Sequence, residues 1–97
     1  MEVRIYKILR EKYPEVKSIL EGEDDAFRRV GYILREGTYL GEDDNYYLYI
    51  RAPEDFFQKY EEKIDAERLT GEEYERIKAK IEREEEDKAI GIGAIFG

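Results

Sequence analysis

The side chains best equipped for chemistry in this chain are carboxylates, and two short stretches concentrate them. Gly-Glu-Asp-Asp occurs at Gly22 to Asp25 and again at Gly41 to Asp44. Hard cations select oxygen ligands, so Asp24, Asp25, Asp43 and Asp44 are the candidate metal ligands and Mg²⁺ or Ca²⁺ the cofactors they would hold. Neither copy has the D-x-[DN]-x-[DN]-G spacing of an EF-hand loop. The plainer expectation is that the first copy ends one helix and caps the next, while the second is a hairpin tip. Other chemistries are short of residues. The chain has no cysteine and no histidine, which removes thiolate chemistry and the commonest general base. Ser18, the only serine, lies in an amphipathic stretch with no base beside it. These shortages lean away from an enzyme.

The second candidate group is aromatic. Along Tyr46 to Arg51 a period of two sends Tyr46, Leu48 and Ile50 to one side and Tyr47, Tyr49 and Arg51 to the other. With Tyr39 nearby, this makes a tyrosine-rich face. Tyrosine gives large contact area at low entropic cost, so Tyr39, Tyr46, Tyr47, Tyr49 and Arg51 are expected to contact a protein partner or a second copy of the chain. Aromatic side chains on an open sheet also stack bases, and the layout is similar in outline to an RNA-recognition motif. That family's RNP1 pattern is missing, however, and a net charge of −8 repels a polyanion, so nucleic acid is not the expected partner. Arg28, Arg29 and Arg35 offer a phosphate site or, more simply, neutralise neighbouring acids.

These groups must be positioned by a small frame. A chain of 97 residues supports one domain, residues 1–97. Val3 and Ile5 alternate with polar neighbours and suggest a strand through about Ile8. Pro14 suits the first turn of a helix ending at Gly22. Residues 24–36 are contested: Ala26, Phe27, Val30, Ile33 and Leu34 form a helical stripe, while Val30 to Leu34 is rich in β-formers. Helix is favoured, with a strand from about Val30 to Tyr39 as the alternative. Thr38 to Leu40 and Tyr46 to Arg51 then read as hairpin arms around a five-residue turn. Pro53, Glu54 and Asp55 open a helix bearing Phe56, Phe57, Tyr60 and Ile64. Thr70-Gly71-Glu72-Glu73 is a capping box for another, with Tyr74, Ile77 and Ile81 inward. The uncharged run Ala89 to Gly97 reads as a last strand, buried in the sheet or added to a partner's edge.

In order, these elements give β-α-β-β-α-β, an α+β ferredoxin-like plait with one antiparallel sheet and helices on one face. The alternative is a mostly helical domain with one β-hairpin. A plait with paired aspartates resembles the metal-dependent nucleases of CRISPR adaptation, but those carry an aspartate at the end of the first strand, where this chain has Tyr6-Lys7-Ile8. The composition resembles that of small proteins from hyperthermophilic archaea: 43% of residues are charged, and Asn45 and Gln58 are the only side-chain amides. No secretory signal follows Met1, and the longest apolar run is about half of the roughly 20 residues that span a bilayer. A cytoplasmic protein without a membrane partner is expected, acting as a non-enzymatic interaction or self-association module, with a metal-binding protein or metal-dependent enzyme as the other possibility.

Overall fold

The computed structural model describes residues 1–22 and 25–96, with side chains in the C-terminal helix described as far as residue 86. Four strands, β1 (Glu2–Ile8), β2 (Tyr32–Glu36), β3 (Tyr46–Ala52) and β4 (Glu67–Arg68), form one sheet in the order β2-β3-β1-β4. Every neighbouring pair is antiparallel. The helices are α1 (Tyr13–Gly22), α2 (Ala26–Val30), α3 (Glu54–Tyr60) and α4 (Gly71–Phe96), with single 3-10 turns at Arg10–Lys12 and Glu61–Lys63. The result is a mixed α+β fold, and the sheet rules out the mostly helical alternative.

The period of two in the strands sorts the core into two layers. On one side Tyr6 and Ile8 of β1 and Leu48, Ile50 and Ala52 of β3 meet Val16 and Leu20 of α1, Phe27 of α2 and Phe57 of α3. Here Tyr46 stacks on Tyr13, ring centroids 3.9 Å apart. On the other side Ile5, Tyr47 and Tyr49 pack beneath Ile77 and Ile81 of α4, both fully buried. Each such aliphatic side chain contributes about 1.5–3 kcal/mol by leaving water. Helices therefore cover both faces, which overturns the expectation of helices on one face only.

Three further expectations change. Residues 26–36 divide between a five-residue helix and a five-residue strand, because Gly31 adopts φ +83° and breaks the apolar stripe after Val30. Thr38 to Leu40 is not a hairpin arm: the first arm is β2, and residues 37–45 are a looped connection. Finally, Ile90 to Phe96 is not a strand. The helix that starts after Thr70 continues to Phe96, since no proline interrupts it and each added residue extends an existing ladder at little cost. The two faces proposed for that tail involve side chains outside the described residues. The fourth strand is instead the pair Glu67 and Arg68, too short and polar to show an apolar period.

No helix among the described residues is long and apolar enough to cross a membrane.

Candidate functional site

The second Gly-Glu-Asp-Asp stretch lies in the loop 37–45, and its acids fasten that loop to the domain. Arg76 of α4 donates two hydrogen bonds to Glu42, at 3.0 and 2.9 Å, and Lys80 one turn on closes on the same carboxylate. Hydrogen bonds from both cations hold the Glu42 carboxyl at a pKa of about 2, well below its ordinary 4.5. Asp43 accepts from the Tyr47 hydroxyl at 3.0 Å and the Asn45 backbone N–H at 3.1 Å, and pairs with Lys7 of β1 at 3.0 Å. Burial pushes its carboxyl up, but Lys7, the Asn45 N–H and Tyr47 together outweigh that and bring it to about 2, from 3.8.

This arrangement leaves the metal reading little to work with. Asp43 spends its lone pairs on an ammonium, a hydroxyl and an amide. Asp25, in left-handed backbone at φ 60°, pairs with Arg28 at 3.4 Å. Asp44 is exposed. Asp24 lies outside the described residues. No group of three or more potential metal-ligating side chains occurs among the described residues. The acids act instead as clamps, with a pH signature. Both folded-state pKa values are depressed, so the stabilisation is complete above the ordinary carboxylate range and is lost as pH falls through it toward the folded values. The urea midpoint is expected to drop between about pH 5 and about pH 2, and to drop less in Glu42→Gln, which has lost that carboxylate and keeps the Asp43 contribution.

The tyrosines separate into packed and exposed. Tyr47 is fully buried and Tyr49 is 8% exposed. Tyr49 donates to Glu82 of α4 at 2.6 Å. Burial, then the neighbouring carboxylates Asp43 and Glu82, raise both phenols above the ordinary tyrosine range. The face that Tyr47 and Tyr49 share is a packed layer under α4 rather than an open surface. Tyr46 is half-buried against Tyr13 on the opposite side. Arg51 is exposed at the end of β3. Tyr39 alone of the five projects into solvent as a large apolar body, at 67% exposure.

Among the described residues, Tyr39 marks the place where an exposed aromatic lies beside the outer edge of an edge strand. The two edges of the sheet are β4, of two residues, and β2, of five. Beside β2 opens a cleft of about 450 Å³ lined by Leu34, Arg35, Glu36, Thr38, Tyr39 and Glu84. The backbone orientation along β2 follows from its hydrogen bonds. The Gly37 N–H donates to the Asn45 carbonyl at 2.6 Å, so position 37 faces β3. Antiparallel alternation then turns Ile33 and Arg35 toward β3, and Tyr32, Leu34 and Glu36 outward. Two contacts agree with that assignment: the Glu36 carbonyl accepts from the Tyr39 and Leu40 amides in the following turn, and the Leu34 carbonyl accepts from the Arg35 side chain at 3.0 Å. The Arg35 guanidinium also grips Glu84 at 2.7 Å and Glu85 at 2.6 Å, tying the strand edge to α4.

Of the candidate site residues singled out from sequence, Tyr39 and Arg35 border this cleft. Arg35 was noted with Arg28 and Arg29 as a cationic group, but Arg28 lies on α2 and Arg35 on β2, so they do not share a helix face. Leu34, Glu36, Thr38 and Glu84 were missed. The available signal was the alternation of Tyr32, Leu34 and Glu36 against Ile33 and Arg35, visible once Val30 to Leu34 is taken as β-forming. The chain matches no protein-family model, no curated protein and no solved structure in the comparisons made.

Proposed function

We propose that this protein is a non-enzymatic interaction module that accepts an extended segment of a partner protein along the outer edge of β2. The observation that carries the proposal is the outward Tyr32, Leu34 and Glu36 backbone, running beside a cleft with an exposed tyrosine at its rim. In strand addition, main-chain hydrogen bonds supply affinity and adjoining pockets read alternate side chains. Native sheets blunt exposed edges with very short strands, proline or inward charges. The β4 edge has two residues, whereas the β2 edge has five and no proline; Arg35 covers its Leu34 carbonyl and the following turn takes its Glu36 carbonyl, so the outward N–H groups are what this edge offers.

The ferredoxin-like reading of the frame is supported by the antiparallel order β2-β3-β1-β4 with helical connections from β1 to β2 and from β3 to β4. In that reading α4 is an addition laid over the face such a plait leaves open. Sheet-face contacts are then closed and the strand edge is what remains. A high-temperature habitat is supported by the multi-partner ion pairs at Glu42, Arg35 and Arg4, since such networks gain relative value as temperature rises.

Proline at position 34 supplies a direct test. The Leu34 N–H points away from β3, so Leu34→Pro removes a donor offered to a partner without removing a ladder bond within the sheet. Random extended peptides displayed against the immobilised chain are expected to yield binders whose affinity falls about tenfold in Leu34→Pro, the worth of one or two lost hydrogen bonds. Binders that hold a folded Leu34→Pro variant as tightly as the parent would place the site elsewhere.

A further inference from the structure

We infer, building on the strand-accepting role of β2, that the partner segment is an extended stretch of the form Pro-x-Pro, whose prolines lie against the Leu34 and Glu36 carbonyls. In a sheet ladder each outward residue of an edge strand offers one N–H and one carbonyl, and the incoming strand answers both. At β2 that balance is broken. The Leu34 carbonyl already accepts from the Arg35 guanidinium at 3.0 Å, and the bonds of that guanidinium to Glu84 at 2.7 Å and Glu85 at 2.6 Å keep it in place. The Glu36 carbonyl accepts from two amides of the following turn, Tyr39 at 3.1 Å and Leu40 at 3.3 Å, so both of its lone pairs are occupied. The Leu34 and Glu36 N–H groups still point outward as donors. This edge therefore has use for a partner's carbonyls but not for the amide N–H groups that ordinarily accompany them. An N–H brought to Leu34 would point at a guanidinium, and one brought to Glu36 would meet an acceptor already taken; each is a stranded donor. Proline keeps the carbonyl and lacks the N–H. The covered carbonyls are two residues apart, and whichever way the incoming strand runs, the N–H groups that face them are two apart as well, which gives Pro-x-Pro. Tyr39, 67% exposed at the rim of the cleft, supplies an aromatic ring of the kind that lines the grooves reading proline-rich segments. A second copy of the chain does not meet the requirement: its own β2 has no proline, and both copies carry −8.

Three synthetic peptides of equal length test this. All alternate valine and threonine; at two positions spaced as Pro-x-Pro the first carries proline, the second alanine, and the third N-methylalanine, which lacks the N–H but has no ring. Fluorescence anisotropy with the full chain is expected to show the N-methylalanine peptide binding about tenfold tighter than the alanine peptide, the worth of relieving one or two stranded amides. The proline peptide is expected to gain about a further threefold from the extra ring carbon buried against Tyr39, and to lose that gain in Tyr39→Ser. Arg35→Met keeps an aliphatic stem but removes the donors and uncovers the Leu34 carbonyl. In that variant the tenfold gap is expected to narrow to about threefold, because the Glu36 carbonyl stays covered.

Equal binding of all three peptides, lost in Leu34→Pro, overturns the proline partner and leaves the strand-accepting edge standing; so do library binders that depend on Leu34 and lack the Pro-x-Pro pattern. A proline peptide that binds tightest while N-methylalanine does no better than alanine shows that the ring alone is read, and overturns the hydrogen-bond origin of the preference. A gap unchanged in a folded Arg35→Met variant overturns the placing of a proline at the Leu34 carbonyl. Failure of all three peptides, with no binder from the random library, overturns both readings. Binding untouched by both Leu34→Pro and Tyr39→Ser overturns the site. A dimer of the chain alone that excludes the proline peptide gives the edge to a second copy and overturns the inference.

Discussion

Gly37→Ala is expected to destabilise the protein by about 3 kcal/mol and to lower its thermal midpoint by roughly 15 °C, on the scaling for a domain of this size. The cause is space, since the backbone of Gly37 lies outside the left-handed region. A methyl group there would fall on the Asp43 carbonyl oxygen and come within 2.8 Å of the Asn45 carbonyl oxygen and 2.9 Å of Asp43 Oδ1. The first and second of these are main-chain atoms that cannot swing aside. They are also fixed by the loop's own bonds: the Gly37 N–H to Asn45 at 2.6 Å and the Glu42 N–H to the Gly37 carbonyl at 2.8 Å. Relief requires the loop 37–45 to lift, which would loosen Glu42 from Arg76 and Lys80 and carry Tyr39 away from the cleft. Calorimetry reads the stability, and peptide binding by the folded fraction is expected to weaken in parallel. A midpoint within a few degrees of the parent would show that the loop yields cheaply and that its clamps count for little.

Ile77→Ala is expected to cost about 3 kcal/mol, in the middle of the range for an isoleucine truncated in a packed core. Ile77 is fully buried where α4 meets Ile5, Tyr47 and Tyr49. The loss falls on the contact that closes the tyrosine face, so its consequences extend beyond the cavity. As α4 loosens, Tyr49 loses Glu82 and Tyr47 gains water, and both phenols ionise at lower pH than in the parent. Ultraviolet titration of the tyrosines reads that shift while equilibrium unfolding reads the energy. If unfolding shows the cost but the tyrosines titrate as before, α4 is held on the sheet chiefly by its polar links, such as Arg76 and Lys80 with Glu42, rather than by its apolar face.

Much of this frame was legible in local pattern because the responsible physics is local. The alternation from Tyr46 to Arg51 gave β3, Val3 and Ile5 gave β1, and the capping box at Thr70 to Glu73 placed the start of α4 at Gly71. What escaped depends on distant partners. The stripe from Ala26 to Leu34 supports either period, and it is the backbone of Gly31 together with pairing to β3 that divides it. The run Ile90 to Phe96 alternates well enough to suggest a strand, yet it extends a helix already nucleated upstream, and growth by one residue needs no new nucleus. Tyr47 and Tyr49 were correctly assigned to one face, but no local rule says that a helix starting more than twenty residues later lies across it.

The candidate site was the least legible part for the same reason. Which strand stands at the edge of a sheet is a property of topology, so the outward backbone of Tyr32, Leu34 and Glu36 has no signature of its own in composition. Glu84 and Glu85 stand in an acidic run nearly fifty residues from Arg35, and only the fold brings them to its guanidinium. The acidic repeat drew attention as possible metal ligands because paired carboxylates are conspicuous in sequence. Their hydrogen bonds reveal a structural task, in which Glu42 and Asp43 fix the loop from which Tyr39 projects.

The central claim is that the outward amides of β2 pair with a partner strand, and residue-resolved hydrogen exchange of the Tyr32, Leu34 and Glu36 amides, with and without a selected peptide, tests it most directly. Exchange at Leu34 is predicted to slow by at least about tenfold on binding, as expected when a solvent-facing amide becomes part of a ladder, while the Ile33 and Arg35 amides, already directed at β3, change little. Binding that leaves the Leu34 amide exchanging at its free rate, with protection arising on another surface, would contradict the account.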